Sequence, residues 1–304
     1  MRLFSKKEQY QGCNIYSLKK YVDRKRIILN IVVGILTSIT LLLVIYYVTD
    51  TALRIRKSKQ FMAQIIKYQE EINQEKEIER QAKIPKLTSV GKENIKKIYN
   101  SDTKRAFLTF DDGPSQNTKD ILNILKENNI KATFFVLGSQ VEKMPEITKR
   151  MYNEGHYIAN HGYSHIYSNI YKSPEEVLNE YNQCNQIVAK TIEVPEYNSH
   201  LFRFPGGSVG GKYAQIKEQA ISLLEQNDIL YVDWNSLTGD SEKTNPTEEY
   251  LMNNLQKTTN EKNSVVILMH DSQAKKETVE NLPKVIEYLK QQGYEFENFY
   301  NIIK

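Results

Sequence analysis

Cysteine, proline and glycine are scarce in this chain of 304 residues, which contains 2 Cys, 8 Pro and 13 Gly. So few cysteines exclude a small protein held together by disulfides, and the low proline and glycine contents exclude collagen-like and low-complexity chains. With 40% apolar and 26% charged residues, the chain can form a hydrophobic core. At roughly 100 to 200 residues per domain, its length allows one large domain with appendages or two medium-sized domains.

The larger part of the chain also lacks an excess of positive charge, although the net charge is +4. Residues 1–60 contain 12 basic and 3 acidic residues, whereas residues 61–304 contain 29 basic and 34 acidic residues. A nucleic-acid-binding protein would carry its basic excess on the folded domain, where it could neutralise phosphates. The charge distribution therefore argues against nucleic acid as a partner, and it favours a membrane because the basic residues flank an apolar run.

That apolar run, residues 27–48, contains no charged residue. A helix of roughly 20 apolar residues crosses about 30 Å of hydrocarbon, and Tyr46 and Tyr47 lie where interfacial aromatic residues are common. A cleaved signal peptide is the alternative, but its apolar region would be about 7 to 15 residues long and would be followed by small residues. Eight basic residues precede the run and four follow it. We therefore expect an uncleaved, single-pass anchor in the cell membrane, with segment 1–26 in the cytoplasm and the part of the chain after the anchor outside.

Residues 49–105 are predicted to form a helical stalk and a linker. Apolar residues at Phe61, Ile65, Tyr68 and Ile72 have helical spacing within the otherwise polar segment 57–83. Only about two heptads follow the pattern, where a coiled coil needs three or four, so dimerisation through the stalk is weakly supported. Segment 84–105 contains proline, glycine and clusters of lysine, and it is predicted to be linker.

From residue 106 onward, short apolar segments alternate with longer amphipathic ones. The predicted strands are residues 106–110, 132–136, 157–160, 201–204, 229–233 and 265–269, with a weak last strand near Tyr294. The predicted helices are residues 119–127, 141–152, 174–192, 213–226, 246–258 and 278–291. Repeated βα units predict a parallel sheet covered by helices, and about seven strands favour a (β/α) barrel over a doubly wound sheet. Residues 106–304 are therefore predicted to be one α/β domain.

Polar residues follow the C-terminal ends of these strands. They are Asp111, Asp112, His161, His165, Arg203, Asp233, His270 and Asp271. Taken singly, each has an ordinary alternative, such as a turn, an exposed helix face or an edge position. In parallel α/β folds, however, the C-terminal edge of the sheet carries the loops of the active site. We therefore expect these distant segments to meet in one site.

The residue types in this set indicate metal chemistry. One carboxylate and two imidazoles form a three-ligand site that leaves a coordination position open, as in catalytic rather than structural zinc sites. The mixture of nitrogen and oxygen ligands suits Zn²⁺ best and would also accept Co²⁺ or Ni²⁺. A second carboxylate beside the metal can act as a base, and a more distant histidine can act as an acid.

The candidate residues lie in five ordered segments, which are TFDDGP (109–114), HGYSH (161–165), RFPGG (203–207), DWNSLTGD (233–240) and LMH (268–270). These segments resemble the motifs of the NodB-type polysaccharide deacetylases, which form carbohydrate esterase family four. The resemblance covers about residues 106–304. It implies a distorted (β/α) barrel that removes acetyl groups in a metal-dependent reaction. Within the family, the chain is most similar to membrane-anchored peptidoglycan N-acetylglucosamine deacetylases.

The resemblance also implies a catalytic role for each matching residue. Asp111 would be the general base and His270 the general acid. Arg203 would orient and ionise Asp111, and Asp240 would position His270. The metal ligands would be Asp112, His161 and His165.

Substrate-binding roles follow from the same resemblance, with two departures from the family pattern. The Gly206 N–H would bind the oxyanion, and Trp234 and Leu268 would line the pocket for the acetyl methyl group, although Trp234 could equally be a core residue. Many relatives have tyrosine where this chain has Gly206, so a ring that helps to hold the sugar is missing. Gly162 stands where the family has serine or threonine, so we expect weaker support of the metal ligands but not inactivity.

The predicted function is metal-dependent removal of acetyl groups from N-acetylglucosamine in peptidoglycan, with lysozyme resistance as its consequence. A deacetylase of another polysaccharide, such as a chitooligosaccharide or xylan, is the alternative that is hardest to exclude. A catalytically weak wall-binding module would leave the Asp and His set unexplained. A glycosidase needs two carboxylates about 5 to 9 Å apart across a bond, which the neighbouring Asp111 and Asp112 cannot provide.

Overall fold

The structure is a computed structural model that describes residues 15–304. Of the predicted cytoplasmic segment 1–26, residues 1–14 lie outside the described residues. The chain divides into two compact units between Glu77 and Ile78.

Helix α1 (Ile15–Ala82) accounts for the described part of the first unit and includes both the apolar run and the predicted stalk. The large apolar side chains of residues 27–48 are exposed, for example Leu42 at 66%. Within residues 15–304, α1 is the one helix whose length and composition allow it to cross a membrane, with a mean hydropathy of 2.7 over its most apolar window. The helix predicted over residues 57–83 is confirmed because α1 continues through this segment to Ala82.

The second unit is built on a parallel sheet. Its strands are β1 (Arg105–Asp111), β2 (Thr133–Val136), β3 (Tyr157–Asn160), β4 (Leu201–Phe202), β5 (Leu230–Tyr231), β6 (Ser236–Leu237), β7 (Ser264–His270) and β8 (Glu295–Glu297). The order across the sheet is β5-β4-β3-β2-β1-β7-β6, and β8 pairs with the first half of β1. This curled sheet is the distorted (β/α) barrel that the sequence predicts, so the fold class is confirmed. Among the described residues, no pairing joins β5 to β6, and the barrel is open there.

Helices follow the strands, and most of them cover the outer face of the sheet. They are α3 (Gln116–Glu127), α4 (Gly138–Lys143), α5 (Pro145–Asn153), α6 (Tyr167–Ile170), α7 (Pro174–Thr191), α8 (Ala214–Gln226), α9 (Glu248–Thr259) and α10 (Lys276–Gln291), with a 3-10 turn at Phe299–Asn301. The single helix predicted over residues 141–152 is wrong in one respect, because the chain forms α4 and α5 instead. Proline lacks an N–H and is favoured at the first position of a helix, and Pro145 begins α5.

Two apolar clusters lie on opposite faces of the sheet because successive residues of a strand point to opposite sides. Leu108 and Phe110 pack outward against the helices in the first cluster. Phe107 and Phe135 point into the barrel in the second. Complete burial of such a side chain contributes roughly 1.5–3 kcal/mol, so these clusters fix the direction in which each strand presents its last residues.

The linker predicted over residues 84–105 is wrong for its central part, which forms helix α2 (Ser89–Lys96). Ile95 and Ile98 are 4% and 1% exposed and belong to the cluster inside the barrel. Gly91 permits this packing because a Cβ at that position would overlap the Ile303 carbonyl. Lysines stand between the buried apolar residues of this segment, so its composition resembles that of a linker.

Candidate active site

The C-terminal ends of β1, β3, β4 and β7 bring the predicted site residues to one edge of the sheet. Asp111 and His270 are the last residues of β1 and β7 and lie directly opposite each other in the parallel pairing. His161 follows β3, and Arg203 follows β4. The predicted convergence of these segments is therefore present in the structure.

Three side chains converge in a geometry that could hold a metal ion. Asp112 Oδ1 lies 3.5 Å from His161 Nε2 and 3.3 Å from His165 Nε2. The potential ligand atoms of these three residues lie within 4.8 Å of one another. Asp112 Oδ1 is buried and has no hydrogen-bond partner among the described residues. A buried carboxylate oxygen without a partner is costly, so a cation at this point would satisfy it.

The orientation and the protonation state of His161 are compatible with metal binding. His161 Nδ1 lies 2.7 Å from the Arg203 carbonyl oxygen, which fixes the ring with Nε2 towards Asp112. Burial lowers the pKa of His161 to about 3. The imidazole is therefore neutral at physiological pH, which is the form that binds metals.

Arg203 anchors Asp111 from inside the barrel. Its guanidinium is completely buried, and Nη1 donates hydrogen bonds to Asp111 Oδ1 at 2.9 Å and to Thr109 Oγ1 at 2.7 Å. The group also lies 3.9 Å from the centre of the Phe135 ring. Burial raises the pKa of Asp111, and the charges of Arg203 and His270 act in the opposite direction. Arg203 therefore favours the ionised form of Asp111, as the resemblance implies, although burial has the larger effect.

Asp240 holds His270 through both backbone and side chain. Asp240 Oδ1 lies 2.8 Å from His270 Nδ1, and Oδ2 accepts the His270 N–H at 2.7 Å. Thr278 Oγ1 donates a third hydrogen bond to the same carboxylate at 2.7 Å. Burial alone would lower the pKa of His270, but the hydrogen bond and charge of Asp240 raise it to about 9. His270 is thus protonated at neutral pH and able to donate a proton.

The three predicted substrate-binding residues lie on or just after strands that end at this centre. Leu268 is buried on β7 and alternates with His270, so both point to the same face of the sheet. Trp234 is partly buried and packs against the cluster inside the barrel. Gly206 has a φ of 75°, and its N–H makes no hydrogen bond within the described residues. That N–H is therefore available to a ligand.

Glu180 on α7 is a supporting residue that the sequence gave no reason to select. Its Oε2 accepts the backbone N–H groups of Tyr163 and Ser164 at 2.5 and 2.7 Å, and its Oε1 accepts the Ser164 hydroxyl at 2.6 Å. One helix side chain thus fixes the loop between His161 and His165.

Two further carboxylates, already noted at strand ends, hold neighbouring segments of the chain by hydrogen bonds. Asp233 accepts hydrogen bonds from the Ser208 N–H at 3.1 Å and from the Ser208 hydroxyl at 2.5 Å. Asp271 is completely buried, and its Oδ2 accepts the Thr118 hydroxyl at 2.5 Å. Burial raises the pKa of Asp271 to about 7. Asp233 thus holds a loop position and Asp271 the first turn of α3, and their place after β5 and β7 was the signal available in the sequence.

Comparison with known proteins finds a family model, related sequences and related structures that match this chain. The family model for polysaccharide deacetylases matches residues 99–222. A peptidoglycan-N-acetylglucosamine deacetylase of Bacillus cereus is 31% identical over 232 residues, which is 75% of this chain and 80% of that protein. The structure of a Streptococcus mutans CE4 esterase has a TM-score of 0.62 at 30% identity and covers 70% of this chain and 91% of that chain. A bifunctional xylanase/deacetylase of Pseudobutyrivibrio xylanivorans is 32% identical over 191 residues, which is 62% of this chain and 29% of that protein.

Proposed function

The chain belongs to the polysaccharide deacetylases of carbohydrate esterase family four, hydrolases that act on amide bonds, and we propose that it removes acetyl groups from N-acetylglucosamine residues of peptidoglycan. One observation carries this proposal: a possible metal-binding triad and two hydrogen-bonded pairs occur at the same edge of the sheet. The triad is Asp112, His161 and His165. The pairs are Asp111 with Arg203 and His270 with Asp240. The first pair supplies a base and the second an acid. The products would be acetate and a glycan with free amines.

Asp112, His161 and His165 would hold a divalent cation, for which the donor set suits Zn²⁺ best and also permits Co²⁺ or Ni²⁺. When bound, the cation would polarise the acyl oxygen and lower the pKa of water in the site. The neutral imidazole of His161 and the unpartnered Asp112 Oδ1 support this assignment.

The side chains of the site divide the proton transfers between them. Asp111, held by Arg203, takes a proton from the attacking water, and the water oxygen forms the new bond to the acetamide carbon. The free Gly206 N–H donates a hydrogen bond to the acyl oxygen as negative charge develops there. His270, held protonated by Asp240, donates its proton to the amide nitrogen as the C–N bond breaks. General acid or base catalysis contributes about 10²–10⁴ in rate, and one oxyanion donor contributes about 10²–10³.

The apolar part of α1 supports a location at the cell membrane. With the basic N-terminal segment in the cytoplasm, the second unit would lie outside and meet the wall glycan first. Free amines would give the wall positive charge, and hydrolases of the lysozyme type, which recognise acetamides, would cut it more slowly. The relative from Bacillus cereus, which carries the name of a peptidoglycan deacetylase, supports this choice of substrate.

Acetate release by the full chain in detergent tests the proposal. Wild type should release acetate from muropeptides and leave the glycan chains intact, and a chelator should abolish this activity. Asp111→Asn should lose turnover by at least 10² but retain bound metal, measured by elemental analysis. Release of shortened chains, or full activity of Asp111→Asn, would show that the reaction or the role of Asp111 is wrong.

Deacetylation of another polysaccharide is the second candidate, and it is favoured by the similarity to a xylanase/deacetylase. The residues of the site act on the acetyl group and do not identify the polymer. Chitooligosaccharides and acetylxylan assayed beside muropeptides separate the candidates. A preference for acetylxylan in kcat/KM would replace the peptidoglycan assignment and leave the chemistry unchanged.

A further inference from the structure

Exposed apolar side chains border the candidate active site. Ile166 is 51% exposed and Tyr167 40% exposed, and they are the next two residues after the metal-ligand candidate His165. Val209, which is 80% exposed, lies two residues after Gly207. Large apolar groups exposed at the rim of a site commonly mark a surface that a ligand covers.

Tyr167 has the most direct relation to the site. Its ring packs edge-on against the His165 imidazole, with ring centres 5.7 Å apart. A second contact, at 5.6 Å, holds it against Tyr171, whose hydroxyl donates to the Pro205 carbonyl at 2.7 Å. The ring is therefore fixed by packing on one side while part of it remains accessible.

Gly206 and Tyr167 are matched to each other in space. The Tyr167 hydroxyl lies 2.6 Å from the point where a Cβ on Gly206 would be, so no larger residue fits at position 206 unless the tyrosine moves. At the next residue of the turn, a ring atom of Trp234 lies 3.3 Å from the position of a Cβ on Gly207. The turn that offers the free Gly206 N–H thus has an aromatic ring close to each of its two glycines.

We propose that Tyr167 is a substrate-binding residue that packs against the pyranose ring whose acetamide group enters the site. This inference rests on the proposed function. A tyrosine presents an apolar ring face and one hydroxyl, which matches the apolar face and the hydroxyl groups of a hexopyranose. The Tyr167 hydroxyl makes no hydrogen bond to another residue in the part of the chain that the structure describes, so it is free to bond a sugar hydroxyl.

Tyr167 would thereby supply the aromatic ring at a turn that has no side chain of its own at position 206. The sugar-binding ring comes from the start of α6 and not from the turn itself, and a residue without a side chain at position 206 makes the space for it. A purely structural role would leave this ring buried like that of Tyr171, which is 2% exposed. The exposure of Tyr167 beside the metal-ligand candidates therefore favours contact with substrate.

Steady-state kinetics of the full chain in detergent test the assignment, with N-acetylchitooligosaccharides as the probe. Tyr167→Ala should lower kcat/KM roughly 10- to 100-fold, mainly by raising KM, because it removes the ring from a residue that binds without reacting. Tyr167→Phe should keep the ring and lose one hydrogen bond, which is about a 2- to 12-fold effect. Metal content should remain that of wild type in both variants.

Tyr163→Phe is the matched control because it lies in the same loop and its hydroxyl bonds Glu142 at 3.1 Å. It should leave KM unchanged. Titration of the same oligosaccharide into Asp111→Asn, with and without Tyr167→Ala, measures binding without turnover and should show the same 10-fold or greater loss. If wild type releases acetate but Tyr167→Ala retains wild-type KM and affinity, the inference is wrong. If wild type releases no acetate from any acetylated glycan, it is the proposed function that fails.

Discussion

Arg203 is the largest side chain that the second unit buries completely, and its charge is balanced at short distance by Asp111. Burial of a charge is tolerated when the group is paired and hydrogen-bonded, and Arg203 also donates to the Val232 and Asp233 carbonyls at 2.9 and 3.0 Å. The same contacts therefore hold the fold together and orient the candidate base. Stability and activity should respond together to changes at this residue.

Arg203→Met should lower the free energy of unfolding by about 3–5 kcal/mol because it leaves the buried Asp111 carboxylate without its partner. Denaturant unfolding followed by the fluorescence of Trp234, the single tryptophan of the chain, measures this loss. Asp111→Asn combined with Arg203→Met should cost less than the sum of the two single changes, since the unpaired charge is gone. Strict additivity would contradict a direct interaction between the two groups.

The pKa of His270 predicts how activity depends on pH in the alkaline range. A general acid works only when protonated, so activity should persist below the pKa of His270, about 9, and fall as the pH rises above it. The pKa is raised above the value in the unfolded chain. The pair with Asp240 therefore also stabilises the fold fully below about pH 6.5, and this contribution is lost as the pH rises through about 9.

Asp240→Asn removes the charge that raises the pKa of His270. The alkaline limb of kcat should then move to lower pH by at least one unit, while bound metal stays unchanged. Thr278→Val, which removes only the third hydrogen bond to Asp240, is the matched control and should shift the limb much less. An identical alkaline limb in wild type and Asp240→Asn would show that His270 is not the titrating acid.

At the scale of secondary-structure elements, α7 supports the loop that carries two of the metal-ligand candidates. Glu180→Ala removes three hydrogen bonds from the loop between His161 and His165. Loss of a group that orients metal ligands typically lowers metal affinity 10- to 100-fold, and we expect that loss here in a competition titration with a chelator. Glu142→Ala removes a surface contact to the Tyr163 hydroxyl and should leave metal affinity unchanged. Equal affinities in all three proteins would mean that the loop holds its shape without α7.

Helix α2 gives a stability prediction at the same scale. Ile95→Ala should lower the free energy of unfolding by about 2–5 kcal/mol because it opens a cavity inside the barrel. Lys96→Ala, on the exposed face of the same helix, should change it by less than about 0.5 kcal/mol. If both changes were equally mild, α2 would be an appendage, as its composition suggests, and not part of the fold.

These elements also show what the sequence could predict. Strand β3 is predicted with its observed bounds, because YIAN is a short apolar run between turn residues. Strands β4 and β5 are shorter than predicted, and β6 is missed, because two-residue strands depend on their neighbours in the sheet and not on local periodicity. The charged strand ends indicated where the site would form. No pattern indicated Glu180, because a glutamate on an amphipathic helix is normally solvated, and only packing of α7 against the loop gives it a role.

At the scale of the whole molecule, the chain combines an apolar helix with a unit that resembles enzymes of polysaccharide chemistry. An arginine at the centre of a membrane-spanning helix costs about 2.5–3.5 kcal/mol on insertion scales. If α1 anchors the chain in the cell membrane as proposed, Leu41→Arg with Leu43→Arg should therefore move the chain from the membrane fraction to the soluble fraction or prevent its export. Leu41→Ile with Leu43→Ile, which keeps the run apolar, should behave as wild type.

Topology and function can then be tested in one experiment on intact cells. If residues 1–26 lie in the cytoplasm, protease added outside should digest the second unit and leave the N-terminal segment protected.

A chain released from the membrane should keep its kcat/KM on soluble oligosaccharides, because the site residues all lie between Asp111 and His270. The same chain should no longer protect cells against lysozyme if protection requires the enzyme to stay at the wall. Protection that persists without the anchor would separate the chemistry from its location and show that the apolar helix serves another purpose.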